Sequence, residues 1–366
     1  MYDAVIIGAG LAGIATALRL KKRGANVLAL EKNSHVGGKM NQHDIEGYRF
    51  DTGPSLFTMP ELVNELYELF GEDFSHFYRY HQHNESCRYF FRDGQQISFF
   101  TDRTLLKEEL SSKLGVEAAS IEKYLEHSAQ KYDAIGKVFL ETAIHKKTEI
   151  PWKSVLSNLP VFFNSGLMTS LHQLNSKTLK NDKLVQIFNR YATYNGSDPY
   201  KASGILSMIP HLEQNAGTFF PNGGIYSIVK GLYQLALKNG VEFSFNETIT
   251  NCSFNKGLYK IDANKAYQAK QLVCAIDHLS FYKNILKDQQ LFQKYNKQER
   301  STSALVFYWG INKNIDALGL HNIFFSEDYA QEFKDIFQAG SIPSDPTNYI
   351  HISSKLNQKD APPDCE

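Results

Sequence analysis

Short apolar runs of strand length alternate along this chain with longer segments of helical period. YDAVIIG, residues 2 to 8, reads as a buried strand, apolar from Ala4 to Ile7; residues 11 to 23 repeat apolar positions at helical spacing; NVLALE, residues 26 to 31, reads as a second strand around the apolar VLAL. That order predicts a βαβ unit at the N-terminus. From about Asp102 to Glu141 the pattern becomes charged and helical, and it stays mostly helical from Pro151 to Tyr194. After PNGG at 221 to 224, Ile225, Ile228, Val229, Leu232 and Leu235 share one helical face. Gly240 then stands where that helix should end, with VEFSF following as a strand. QLVCAID, residues 271 to 277, reads as another buried strand. The chain thus leaves an α/β layer, makes a helical excursion and returns to add strands. The expected fold is α/β, a Rossmann-like doubly wound domain carrying an inserted domain of mixed helix and sheet. Residues 1–70 plus 220–285 are expected to form the first domain, and 71–219 plus 286–366 the second lobe.

Composition adds mainly exclusions. A chain of 366 residues is long enough for a large core and for two lobes. Its 39 basic and 39 acidic residues cancel, so net charge favours neither nucleic acid nor an anionic membrane surface as a partner. Aromatic residues make up 13% of the chain, which suits an ordinary core or the lining of an apolar pocket. Cys87, Cys252, Cys274 and Cys365 are far apart and show no metal-type spacing. No metal is expected, and a reduced cytoplasmic compartment suits these thiols. The apolar N-terminus does not read as an export signal, because Asp3 stands where a basic region should be and glycines interrupt the run. No uninterrupted apolar stretch reaches the ~18 residues of a spanning helix, so membrane contact is expected to be peripheral.

Chemistry enters with glycine. GAGLAG sets Gly8, Gly10 and Gly13 in the G-x-G-x-x-G spacing between a strand and a helix. The first glycine permits a tight turn, the second lets backbone approach a pyrophosphate, and the third allows helix and strand to pack closely. The helix N-terminus then presents its partial positive charge to the phosphates. Glu31 closes the next strand, where a carboxylate can accept hydrogen bonds from an adenosine ribose. Gly37, Gly38 and Lys39 follow, either as a plain loop turn or as a second backbone approach to an extended cofactor with Lys39 neutralising phosphate.

GAGLAGIATALRLKKRGANVLALEKNSHVGGK, GYRFDTGPSLFTMP (residues 47 to 60) and RYATYNGSDPYKASGILSMIPHLEQNAGTFFPNGGIYSIVKGL (190 to 232) together resemble the bacterial-type phytoene desaturases, carotenoid desaturases within the flavin amine oxidase-like group. The closing SDPTNYIHISSKLNQKDAPPDCE is similar to a late strand and AP turn of the same family. The resemblance implies non-covalent FAD and removal of two hydrogens from a C–C bond beside a polyene. Hydride loss from an allylic carbon leaves positive charge that the polyene delocalises, so such chemistry needs few catalytic side chains. Carried over by motif, Gly8, Gly10 and Gly13 hold the pyrophosphate, Glu31 the ribose, and Gly38 and Lys39 the middle of FAD. Lys32, beside Glu31, joins the cofactor set, and Ile249 matches a position whose backbone meets adenine. Asp51, Gly53, Pro54 and Ser55 fall near the isoalloxazine end, although the same loop could be a surface turn. No proton acceptor is assigned; Asp198, Arg190 and His211 are the polar candidates, against surface or structural roles for each.

Family members run on for roughly a further quarter of their length, through a second glycine-rich segment that returns to the flavin. The C-terminal FAD-binding segment is therefore expected to be absent here, the chain being either a fragment or a natural truncation, and this polypeptide alone is expected to bind FAD poorly or not at all. The substrate implied is a long apolar isoprenoid, either phytoene or a 1-hydroxycarotenoid desaturated at the 3,4 position, with oxygen or a quinone as electron acceptor. A carotenoid must be drawn from lipid, so a peripheral position on the inner face of the membrane is expected. PVFFNSGLM, residues 160 to 168, is the candidate contact, with core packing as its alternative. Two other functions fit parts of the resemblance: an amine oxidase, which would release hydrogen peroxide from amines, and a prenyl-binding escort protein, which would be colourless.

Overall fold

A computed structural model describes residues 1–366 apart from positions 137, 139–141, 143–145, 147, 149, 159, 162–164 and 299 and the side chain at 154. Its strands are β1 (Tyr2–Ile7), β2 (Val27–Leu30), β3 (Gln42–Ile45), β4 (Tyr48–Asp51), β5 (Tyr80–His83), β6 (Glu85–Phe90) and β7 (Gln96–Phe100). They continue as β8 (Thr218–Pro221), β9 (Glu242–Ser244), β10 (Asn251–Asn255), β11 (Leu258–Asp262), β12 (Ala266–Cys274), β13 (His321–Phe324) and β14 (Asn348–His351). The chain divides into two units, residues 1–81, 219–300 and 356–365 in one and residues 82–218, 301–355 and 366 in the other.

The first unit is built on a six-stranded sheet of order β10-β11-β12-β1-β2-β9. β1 runs parallel to β2 and β12, and β2 parallel to β9, while β10, β11 and β12 pair antiparallel. Successive side chains of a strand point to opposite faces, and both faces here are covered. Ile6 and Ala29 pack with Ile14, Leu18, Ile228 and Leu232; Val5, Ile7, Leu28 and Leu30 pack with Phe281 and Ile285. Burial on both sides is why β2 and the Ala4–Ile7 part of β1 are apolar throughout.

Helix α1 spans Leu11–Lys22, close to the expected 11 to 23. The helix after PNGG spans Tyr226–Lys238, buries Ile228, Val229, Leu232 and Leu235, and ends before Gly240 at φ +76°. Two expected strands are shifted. QLVCAID belongs to the longer β12, which stops at Cys274, and Asp277 instead caps the next helical turn by accepting from the Ser280 amide at 2.8 Å. Of VEFSF only Glu242–Ser244 is strand. Residues 71–81, 219, 286–300 and 356–365, which the sequence boundaries assign to the second lobe, lie in the first unit.

The second unit carries a four-stranded mixed sheet of order β14-β13-β6-β7. Helices Arg103–Leu114, Ala118–Lys131, Leu171–Leu179 and Asp182–Asn189 belong to it, so the helical stretch expected from 102 is broken at Gly115, which takes the left-handed conformation. Local chemistry fixes the helix starts. Asp102 accepts from the Thr104 and Leu105 amides, and Ser170 with Gln173 forms a capping box. The core between sheet and helices is largely aromatic, with Tyr89, Phe99, Phe188, Tyr191 and Phe325 fully enclosed. That supports core filling for much of the aromatic excess. Of PVFFNSGLM, residues 162–164 lie outside the described residues; Leu167 and Met168 are exposed. Among the described residues, no helix is long and apolar enough to cross a membrane.

Candidate functional site

Each of the three glycines has a separate physical reason. Gly8 sits at φ +98°, and a Cβ there would come within 2.7 Å of Ile276 Cγ2. A Cβ on Gly13 would overlap the Gly8 carbonyl oxygen, so this glycine permits α1 to lie against β1. Gly10 is different, because a Cβ there would meet nothing closer than 3.7 Å. The protein's own packing does not require a glycine at this position; leaving it bare keeps the backbone open to a ligand. Gly10 also caps α1 with no side-chain hydrogen bond, and the first turn holds no acidic residue. Its amides are thus available to an anion, at the positive end of a twelve-residue helix.

The second glycine pair is joined to the first loop. The Gly37 amide donates to the Ala9 carbonyl at 2.9 Å, and residues 10 and 37 form a parallel bridge. Gly37 and Gly38 both take positive φ, +124° and +60°. The Tyr226 hydroxyl donates to the Val36 carbonyl at 3.0 Å and holds the loop from behind. Glu31, 5% exposed, accepts from the Ala9 amide at 2.9 Å and the Asn33 amide at 3.0 Å. Its carboxylate therefore shapes the glycine turn, and each oxygen retains a lone pair for a ribose hydroxyl. Replacing Glu31 with Ala is expected to cost about 1.5–3 kcal/mol, the range for hydrogen bonds to a charged group. Urea unfolding of the variant checks this, with Glu31→Gln expected to keep part of the stability.

The loop GYRFDTGPSLFTMP is drawn onto the same region. A Cβ on Gly53 would overlap the Lys39 carbonyl oxygen, and the Thr52 amide donates to the Asn41 carbonyl at 2.8 Å. Asp51 is held by the protein itself. Its carboxylate accepts from Arg49 Nη2 at 2.6 Å and from the Ile225 and Tyr226 amides at 3.0 and 3.1 Å, capping helix Tyr226–Lys238. Arg49 also donates to Asp360 at 3.1 Å, and both carboxylates are almost wholly buried. Gly38, Lys39, Gly53 and Pro54 are exposed beside this scaffold, and Ser55 is half-buried. Lys32 and Lys39 are exposed and make no ion pair among the described residues. Ile249 packs, half-buried, against the cluster around Val5 and Leu30.

Sequence reasoning missed Arg49, Asp360 and Tyr226. The one available signal was the i, i+2 spacing of Arg49 and Asp51, which places both on one face of β4. Glu247 was also missed. It is buried, accepts from Tyr267 at 2.6 Å, Ser244 at 3.2 Å and the Asn264 amide at 3.1 Å, and donates its own amide to the Glu31 carbonyl at 2.9 Å. Burial opposes its charge, but these hydrogen bonds outweigh that and hold its carboxyl below the usual range.

The polar candidates of the second unit all contact the protein's own groups. Arg190 is buried, pairs with Glu213 at 3.0 Å and lies over the rings of Tyr89, Tyr191 and Tyr194. Burial works against its charge, yet Glu213 keeps its pKa well above the ordinary value. Asp198 accepts from the Tyr200 amide at 2.8 Å. His211 stacks on Tyr132 and bonds Asn215 at 2.9 Å.

Two loops that expose backbone amides at a helix start, braced by a buried carboxylate, fit a pyrophosphate laid along both, which is the property of a dinucleotide-binding oxidoreductase. The family described as flavin containing amine oxidoreductase matches residues 11–305, and the chain belongs to it, in its carotenoid desaturase branch. FAD is its cofactor, as the resemblance implied, and a flavin containing family requires a flavin. A 1-hydroxycarotenoid 3,4-desaturase from Flavobacterium sp. is 43% identical over 100% of this chain and 75% of its own length. A phytoene desaturase from Neurospora crassa is 29% identical over 99% of this chain and 63% of its own length. The chain thus spans about two thirds to three quarters of these relatives. Among solved structures, an oxidoreductase from Methanosarcina mazei matches at TM-score 0.61 and 15% identity, covering 99% of this chain and 76% of that one. A putrescine oxidase matches at TM-score 0.54 and 14% identity, covering 82% and 64%. At such identities these two speak to the fold alone.

Proposed function

We propose that this chain belongs to an FAD-dependent desaturase that removes two hydrogens from a carotenoid, with a 1-hydroxycarotenoid at the 3,4 position preferred over phytoene. The observation that carries this is the 43% identity, over the whole chain, to a protein named for that reaction. FAD, when bound, supplies the acceptor for hydride leaving the allylic carbon. The chain's own residues bind and orient. The first-turn amides of α1 and the bare Gly10 receive the pyrophosphate, Gly38 and Lys39 its far side, Glu31 with Lys32 the ribose end, and the backbone at Ile249 the adenine. Asp51, fixed by Arg49, keeps the loop through Gly53, Pro54 and Ser55 in register beside them. Electrons pass on to oxygen or a membrane quinone, and the enzyme works at the inner face of the membrane from the cytoplasm; exposed Leu167 and Met168 support an apolar contact there.

The test is to incubate the purified protein and FAD with a 1-hydroxycarotenoid or with phytoene and record the polyene absorption of the product. A red shift on the hydroxylated substrate with little change on phytoene is expected. Hydrogen peroxide release from amines, without any polyene shift, would overturn the assignment.

A further inference from the structure

Beside the helix Ala118–Lys131 in the second unit lies a cavity of about 410 Å³ with Tyr124, His127, Lys131, Val161, Leu174 and Ser207 in its wall. That volume falls toward the small end of ligand pockets, about 300–1,000 Å³, so it suits one end of a long isoprenoid. Among the described residues the wall contains neither Asp nor Glu.

Most of its polar groups are already committed. The Tyr124 hydroxyl donates to Asn175 at 2.8 Å, and the Ser128 hydroxyl donates to the Met208 carbonyl at 3.2 Å while accepting from the His211 amide at 3.0 Å. Lys131 is the half-buried cation of the wall. Its amine donates to the buried Ser207 hydroxyl at 2.8 Å and makes no ion pair among the described residues, which leaves two N–H donors without acceptors. A half-buried ammonium without a counter-charge is costly to the fold, and burial pushes its pKa down to about 8. What would satisfy it is an oxygen acceptor carried on an apolar body, because the surrounding wall is partly aliphatic and aromatic.

We infer that this cavity is the subsite for the oxygenated end of a long isoprenoid substrate, with Lys131 and Ser207 selecting a terminal hydroxyl. The inference rests on the desaturase assignment above and names the residues that favour a hydroxylated carotenoid over a hydrocarbon one. The amine donates to the hydroxyl oxygen, Ser207 fixes the amine, and Val161 and Leu174 pack on the chain behind it.

Two measurements on the purified protein separate this inference from the assignment it rests on. The first is kcat/KM on a 1-hydroxycarotenoid and on the same polyene lacking the hydroxyl, for the wild type, Lys131→Met, Lys131→Arg and Ser207→Ala. The preference for the hydroxylated substrate is expected to fall about ten- to a hundredfold in Lys131→Met, the worth of one hydrogen bond from a charged donor, and chiefly through KM. It should fall less in Ser207→Ala and least in Lys131→Arg, which keeps donors. Equal losses on both substrates, or an unchanged ratio, would overturn the subsite. The second is calorimetric binding of a C10 tertiary terpene alcohol against the hydrocarbon of the same skeleton, in detergent micelles and without turnover. Alcohol-selective binding that Lys131→Met abolishes supports the subsite even if no carotenoid is desaturated, an outcome that would sink the desaturase assignment alone. Turnover without alcohol selectivity would sink the subsite alone.

Discussion

Gly53→Ala is expected to weaken the binding of added FAD and lower the melting temperature by several degrees. The new methyl has no room, because it would overlap the carbonyl oxygen of Lys39 and press on its carbonyl carbon. Those atoms are main chain in a loop already pinned by the Gly37 to Ala9 hydrogen bond and by Tyr226 on Val36, so relief means moving one loop away from the other. Overpacking of this kind typically costs about 1–3 kcal/mol. The functional loss should exceed the stability loss, since a shift of ~1 Å in a positioning loop can cost a hundredfold. Titration of the purified protein with added FAD, read beside a thermal melt, provides the check. Wild-type FAD binding with an unaltered melt would show that the two loops do not depend on each other as described.

The second large effect is expected at Arg190. Arg190→Met leaves Glu213, 2% exposed, with hydrogen bonds only from the Tyr191 and Tyr194 hydroxyls and no opposing charge. Breaking one side of a buried ion pair costs about 3–5 kcal/mol, a large share of the ~5–15 kcal/mol that stabilises a typical domain. The double variant Arg190→Met with Glu213→Met should recover most of that loss, because no unpaired charge then remains. Chemical denaturation of the single and double variants measures both values. A single variant as stable as the wild type would mean the pair contributes nothing to the second unit. No catalytic duty needs to be assigned to Arg190 to explain its burial.

Some elements were legible residue by residue and others were not. The β1–α1–β2 unit emerged within a residue or so of its bounds, because a strand buried on both faces must be apolar throughout and a surface helix must repeat near every 3.6 residues. The helix Tyr226–Lys238 emerged for the same reason, with Gly240 marking its end. Leu305, Val306, Phe307, Tyr308 and Trp309 show where such patterns stop being sufficient. Their run has strand character, yet they take no regular structure and remain exposed. An apolar run states that a segment is suited to burial and does not name the surface that would bury it.

Asp51 shows the same division at the site. From sequence it belonged to a loop that could meet a flavin or face solvent; in the fold its carboxylate is taken up by Arg49 and by the start of a helix 174 residues away. Arg49 in turn reaches Asp360, 311 residues along the chain. By itself the sequence determined the glycine turn, the dinucleotide-type βαβ start and the family, because each depends on backbone sterics and periodicities that act over a few residues. Only the tertiary structure decided that Gly10 is the glycine not demanded by internal packing, that Asp51 and Arg190 are paired within the fold, and that Lys131 faces a cavity without a counter-charge among the described residues. Those outcomes depend on which distant groups share a low-dielectric interior, and neighbouring residues carry no record of that.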